Sequence, residues 1–407
     1  MKIFRKLTSI VLAAGLALSS SAFADTVKIA FVDPLSGPFA TTGTNGLTSW
    51  KYAAKYFNKK LGTNFEIVAL DNKMSGKESI IQVEVAIDKG IRYIAQGNSS
   101  GIANAITDHI KKHNKRNPDK RVLFLNYSAV DPALTNDKCN FWHFRFDANA
   151  DIKMDALTDV IAGMSDIKKI YLLGQDYSFG KAVAAAAVRN LEAKTSIEIV
   201  GNELHPIGDV KDFTPYARKI LASEADAVIT GNWGADMVNL GRAMADTGFS
   251  GPVFTYYGAS DGVTGVLAEK GKNMIYHVSE GHYNPSPSSE FSAFMDGYNA
   301  EYPNNDFNQP RILNALGMLA NAIDTAKDSN DVVAVAKALE GMEYDSMLGT
   351  KVFMRPQDHQ AIQNVSIGMH TDDVKFDFDE SGYGIKSFKK IEMAAMDSPT
   401  TCKMKRP

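Results

Sequence analysis

Only two cysteines, Cys139 and Cys402, occur in 407 residues. Two widely spaced thiolates without neighbouring histidines are too few for a metal site, and in an oxidising compartment their one possible internal pairing is a disulfide, which is expected here. Apolar runs long enough to cross a bilayer are also missing, for the stretch Leu7 to Leu18 is too short to be a stable anchor. No glycine-rich dinucleotide fingerprint follows the first strand pattern, and "QDYSFG" is too aromatic to cradle phosphates. Excess charge is absent as well: the net charge is -3, and loss of Lys2, Arg5 and Lys6 with a leader would make it -6. Modest acidity argues against nucleic acid and anionic membrane surfaces as partners. There is no low-complexity tract and no short-period repeat.

What is present begins with that leader. Lys2, Arg5 and Lys6 form a basic region, an apolar core follows, and Ala22-Phe23-Ala24 is a small-x-small cleavage site. Cleavage after Ala24 is expected, with no cysteine near the cut to accept a lipid, so a soluble, exported, periplasmic protein is the expectation. Roughly 380 residues then remain, which suits two domains by the usual length relation.

Along that chain one unit recurs. "VKIAFVDP" is an apolar strand pattern, and "GLTSWKYAAKYFNKKLG" places Leu47, Trp50, Ala54 and Phe57 on one helical face before Gly62 ends it. "FEIVAL" follows as a strand, and "SGKESIIQVEVAIDKG" opens with Ser75 and Glu78 at capping-box spacing. Further strands are expected at "IRYIAQ", "RVLFLNY", "KKIYLLG", "SIEIVG", "ADAVIT", "GPVFTYY" and "NMIYHVS", with amphipathic helices between them. Such alternation predicts an α/β fold with parallel sheets covered on both faces. Two irregular stretches, Asn136 to Asp151 and Ser279 to Glu290, mark changes of domain. Beyond the second come helices, and then alternating patterns of antiparallel strands from "GTKVFMRPQDHQ" onward.

The stretch "YIAQGNSSGIANAI" carries the chemical question. It fits G-x-S-x-G, the turn that mounts a hydrolase serine. It fits equally a strand end feeding a helix whose free amides and hydroxyls hold a ligand anion. The hydrolase needs an acid and then a histidine later in the fold, and His205, His277 and His282 stand in no recognisable catalytic setting. "HIKKH" sets His109 and His113 one turn apart, yet it lacks a glutamate base and lies among lysines. No metal or cofactor is expected.

The opening "VKIAFVDPLSGPFATTGTNGLTSWKYAAKYFN", the "NSSGIANAI" turn, "NYSAVDPALT", "LLGQDYSFGKA" and "VITGNWGADMVNL", in that order, resemble the leucine/isoleucine/valine-binding proteins. These are periplasmic receptors of ABC importers. The resemblance implies two Rossmann-like lobes with central parallel sheets joined by three crossing strands, the type I periplasmic binding fold. It places residues 25-146 and 280-349 in the N-terminal lobe, 147-279 and 350-395 in the C-terminal lobe, and 396-407 in a tail. The crossings are expected near Phe144 to Ala148, Val278 to Tyr283 and Leu348 to Met354. It further implies a small-molecule solute, an amino acid or related carboxylate, an inner-membrane permease as partner, and a monomer.

Within that frame the turn at Asn98, Ser99 and Ser100 and the loop Tyr127, Ser128, Ala129 and Val130 are expected to hold the ligand carboxylate. Phe39, Thr42, Tyr177, Trp233 and Tyr257 are expected to enclose its body, with Tyr256 beside them. The family's glutamate for a ligand amine aligns with Gly258 here, so Asp261, Asp236 or Asp176 would have to supply the counter-charge. A serine hydrolase using the GNSSG turn and a sensory ligand-binding protein are the alternatives. The latter would be expected to continue into a membrane helix or signalling domain.

Overall fold

The computed structural model describes residues 26-260 and 262-407. The expected leader, its cleavage point and Asp261 lie outside the described residues.

The first helix runs Ala40-Leu61, six residues ahead of its expected start, with Trp50, Ala53, Ala54 and Phe57 buried at three- and four-residue spacing. Gly62 stops it in the left-handed region, at φ +68°. The Ser75 hydroxyl caps the second helix, Gly76-Asp88, by accepting the Glu78 amide. Neither helix could persist alone in water; burying the apolar face against a sheet stabilises it.

Among the described residues three sheets form. The first is wholly parallel, in the order Phe65-Asp71, Val27-Asp33, Tyr93-Gln96, Leu123-Asn126 and His143-Arg145. The second has seven strands: Gly384-Ile391, Val365-Thr371, Ile275-Ser279, Val253-Thr255, Ala227-Thr230, Lys169-Gln175 and Glu198-His205. Within it Val365-Thr371 runs antiparallel to both neighbours, and the remaining pairs are parallel. A small antiparallel sheet joins Glu343-Asp345, Lys351-Met354 and Ala361-Gln363.

Each large sheet has its own core, so the passages of the chain between cores can be located residue by residue. Phe146 packs in the first core and Ala148 in the second. Val278 lies in the second, while Tyr283 packs against the first. The third passage differs from the expected one. Leu348, Val352, Met354 and Ala361 all belong to the first core, and Ile362 and Val365 to the second. The chain crosses at Ala361 to Val365 rather than Leu348 to Met354, because the small sheet folds back onto the first core before leaving it. The exchange expected at residue 350 therefore falls a hairpin later.

Glutamines bind the first and third passages to each other. Gln360 Nε2 donates to the Asp147 carbonyl and Gln363 Nε2 to that of Phe146, both at 2.7 Å. Cys139 and Cys402 form a disulfide. Beside it the Thr400 hydroxyl donates to the Thr135 carbonyl at 2.9 Å, while Met396, six residues before Cys402, is buried in the second core.

Candidate functional site

The C-terminal ends of the strands in both large sheets face one cleft, the usual place for a ligand in an open α/β sheet. Its lining runs from Thr42 and the Gly97-Ser100 turn to Tyr256 and Tyr257.

On the first-lobe side, the strand Tyr93-Gln96 ends in a turn built on Asp33. Gly97 and Asn98 donate their amides to the two Asp33 carboxylate oxygens, both at 3.0 Å, and the Tyr127 hydroxyl donates to Oδ2 at 2.6 Å. Burial pushes the Asp33 carboxyl up to about 7 against these bonds. A Cβ at position 97 would lie 2.7 Å from the Tyr127 ring, so the turn can pass only as glycine. Ser99 then takes φ +79°, a left-handed conformation that costs a non-glycine residue of order 1–3 kcal/mol. That geometry starts the helix Ser100-Arg116 with its free amides toward the cleft. Ser99 and Ser100 line the cleft, and the Ser100 hydroxyl accepts the Asp131 amide at 3.1 Å.

The next turn is folded by Asn126, whose Oδ1 accepts the amides of Ser128 and Ala129. Ser128, Ala129 and Val130 line the cleft as expected. Tyr127 does not. Its ring is buried behind the cleft, edge-on to Trp50, with its hydroxyl on Asp33.

On the second-lobe side, Tyr177, Trp233 and Tyr257 line the cleft, joined by Phe179 and Tyr256. Trp233 Nε1 donates to the Tyr177 hydroxyl at 2.7 Å. The Tyr257 hydroxyl reaches across to the Ser128 carbonyl at 3.2 Å. Thr42 lines the cleft, but Phe39 sits outside the lining: its ring lies tilted against Trp233 with centroids 4.4 Å apart.

Two of the three expected counter-charges, Asp176 and Asp236, are engaged elsewhere. Asp176 pairs with Lys181 at the surface, and Asp236 accepts from Gln175 Nε2 and the Gly208 amide. A side chain at position 258 would not help, since its Cβ would lie 2.4 Å from Thr255 Oγ1 and 2.6 Å from Ile275 inside the sheet.

Sequence reasoning missed Arg311. This buried arginine opens the helix Arg311-Ala326 and lines the cleft. Its Nη1 donates to both Glu280 oxygens at 3.0 and 3.1 Å, Nε lies 3.2 Å from Asp147 Oδ2, and Nη2 donates to Ser128 Oγ at 2.9 Å. Lys153 completes the set 2.7 Å from Asp147 Oδ1. Against desolvation, Arg311 holds Glu280 below the usual carboxylate range, whereas burial prevails at Asp147 and raises it. These four residues stand 6 to 164 positions apart, so no local motif announces them.

The hydrolase alternative finds no support. Ser99 and Ser100 make no hydrogen bond to a histidine, and His277, across the cleft, has Nε2 on the Tyr256 carbonyl and Nδ1 on His282. His109 and His113 serve separate partners, Glu84 and the Lys120 carbonyl.

The chain belongs to the periplasmic binding protein family, whose profile matches residues 26-373. A Leu/Ile/Val-binding protein homolog 4 of Brucella melitensis is 31% identical, covering 100% of this chain and 99% of the relative. The closed crystal structure of a leucine-, isoleucine-, valine-, threonine- and alanine-binding protein from Brucella ovis is 28% identical, with a TM-score of 0.83 over 94% of this chain and 100% of that one. A solute-binding protein from Rhodopseudomonas palustris HaA2, solved with p-hydroxybenzoic acid, shares the fold at 20% identity and a TM-score of 0.76, covering 91% of this chain and 98% of that one.

Proposed function

We propose that the protein is the periplasmic solute receptor of an ABC importer, capturing an amino acid or related small carboxylate and delivering it to a permease in the inner membrane. One observation carries the reading: a single cleft sets anion-holding amides and hydroxyls on one lobe against a wall of rings on the other. A helix N-terminus favours an anion, and rings at the facing strand ends enclose an apolar body and exclude water. The first lobe comprises residues 26-146 and 280-361 and the second 148-278 and 362-396, with the remaining tail docked on the first. Opening and closing occur about the three passages, as in a hinge. Export follows cleavage after Ala24, and the receptor works as a monomer. The relatives' names point to branched-chain amino acids, and the neighbour's bound p-hydroxybenzoic acid to aromatic acids.

Calorimetric titration of a panel of amino acids, aromatic acids and their amide derivatives tests the proposal. At least one carboxylate should bind the parent, and Ser99→Ala with Ser100→Ala should weaken it by about 1.5–3 kcal/mol for each charge-assisted bond lost. Binding by no carboxylate, or affinity untouched by the double substitution, would overturn it.

A further inference from the structure

Past the wall formed by Ala259 and His277 the cleft continues. A second pocket shares Ala259, His277 and Asn308 with the first, and Tyr283, Phe376 and Phe378 give it an aromatic interior. Ala259 is the smallest residue common to the two linings, next to the position where the glutamate was expected, and marks where a doorway between them would lie.

The polar atoms between the chambers are not satisfied within the protein. Asn308 Nδ2, at the doorway, and Gln309 Oε1, in the first chamber, are buried without a hydrogen-bond partner, and Gln309 is only 5% exposed. One is a donor and the other an acceptor, the complement of a C=O and an N–H.

Among the described residues no aspartate or glutamate lines either chamber. His277 Nε2 donates to the Tyr256 carbonyl, so its Nδ1 accepts from His282 Nε2 at 3.1 Å, and His282 Nδ1 accepts from Ser387 Oγ at 2.7 Å. That chain uses every proton of two neutral rings, and burial keeps His282 low, at about 4. A free ammonium would therefore be buried unpaired, at considerable cost.

We propose that the solute is an N-acyl amino acid whose amide is read by Asn308 and Gln309 and whose acyl body passes the Ala259 doorway into the second chamber. The proposal rests on the receptor reading. The carboxylate lies at the Ser99 turn, the side chain lies among the rings of the first chamber, and acylation removes the charge for which no described residue of the cleft is a partner.

The test is calorimetry of the full-length protein with N-benzoyl-L-leucine, L-leucine and benzoate. N-benzoyl-L-leucine should bind more than about a hundredfold tighter than either single-body compound, as expected where buried polar groups otherwise stay unpaired. Ala259→Leu should close the doorway and cut the ratio of N-benzoyl-L-leucine to L-leucine affinity by about tenfold or more. Asn308→Ala, which leaves the doorway open, should cut it about tenfold by removing the donor. If L-leucine or benzoate binds at least as tightly as N-benzoyl-L-leucine, or if both variants keep the parent ratio, the second chamber plays no part and the proposal falls while the receptor reading stands. If the wider carboxylate panel also fails to bind, both fall together.

Discussion

The first-lobe face of the cleft is held by directed bonds to charged groups, whereas the second-lobe face is held by rings in contact with rings. Asp33 fixes the Ser99 turn through two amides and a phenol, and Arg311 fixes the Ser128 turn through two carboxylates and a hydroxyl. Opposite them, Phe179 touches Tyr256 and Tyr257 edge-on, and the Trp233 indole bonds to Tyr177. The difference teaches how one site can be both stiff and closable. A bond network defines one geometry for an anion, while rings can slide over an apolar body without losing most of their contact.

Breaking the first face should cost fold stability. Arg311→Leu leaves Glu280 and Asp147 buried with Lys153 as the remaining cation beside them among the described residues, and should lower unfolding free energy by about 3–5 kcal/mol in denaturant titration. A loss below about 1 kcal/mol would mean that the two carboxylates find water or protons instead, and that this face is not charge-fixed.

Asp33→Asn is the next largest. An asparagine can accept from only one of the Gly97 and Asn98 amides, and turns an NH2 toward the other, a cost of about 1–3 kcal/mol. Its pH dependence has a definite sign. Asp33 rises from 3.8 to about 7 on folding, so the folded state holds its proton where the unfolded state has released it. The stabilisation is fully present below 3.8 and is lost as pH rises through about 7. The parent's advantage over the variant should shrink across that window in urea midpoints; a constant difference would place the titration elsewhere.

The second face should yield less. Trp233→Phe keeps a ring against Phe39 but removes the bond to Tyr177, so solute affinity should fall by about 0.5–1.5 kcal/mol with little change in stability. A stability loss as large as that of Arg311→Leu would erase the contrast between the faces.

How far these features could be read in the sequence follows the range of the interactions. Strands such as "KKIYLLG" and "ADAVIT" and the Ser75 cap are local patterns of period and capping, and they stand where expected. The Ser99 turn was legible because strand end, glycine and hydroxyl are neighbours. Tyr127 was grouped with its neighbours, which do line the cleft, whereas the turn sends its ring back to Trp50 and Asp33. Arg311, Asn308 and Gln309 lie in "FNQPRIL", which has no distinguishing pattern; topology alone brings them to residues more than a hundred positions away. The third passage was displaced because a three-strand hairpin sheet can pack on either core, and nothing in its alternation says which.

The disulfide has a mechanical meaning that its place near the C-terminus conceals. Met396 is rooted in the second core, and Cys402 is bonded to Cys139 beside the Thr400 contact with Thr135. Five residues of chain, 397 to 401, therefore span the lobes as a fourth connection, the one closed by a covalent clasp at its end. At no more than ~3.6 Å per residue such a strap has little slack. It works as a travel stop, so the widest gape of the receptor is set by the oxidation state of its surroundings as well as by the stiffness of its hinge.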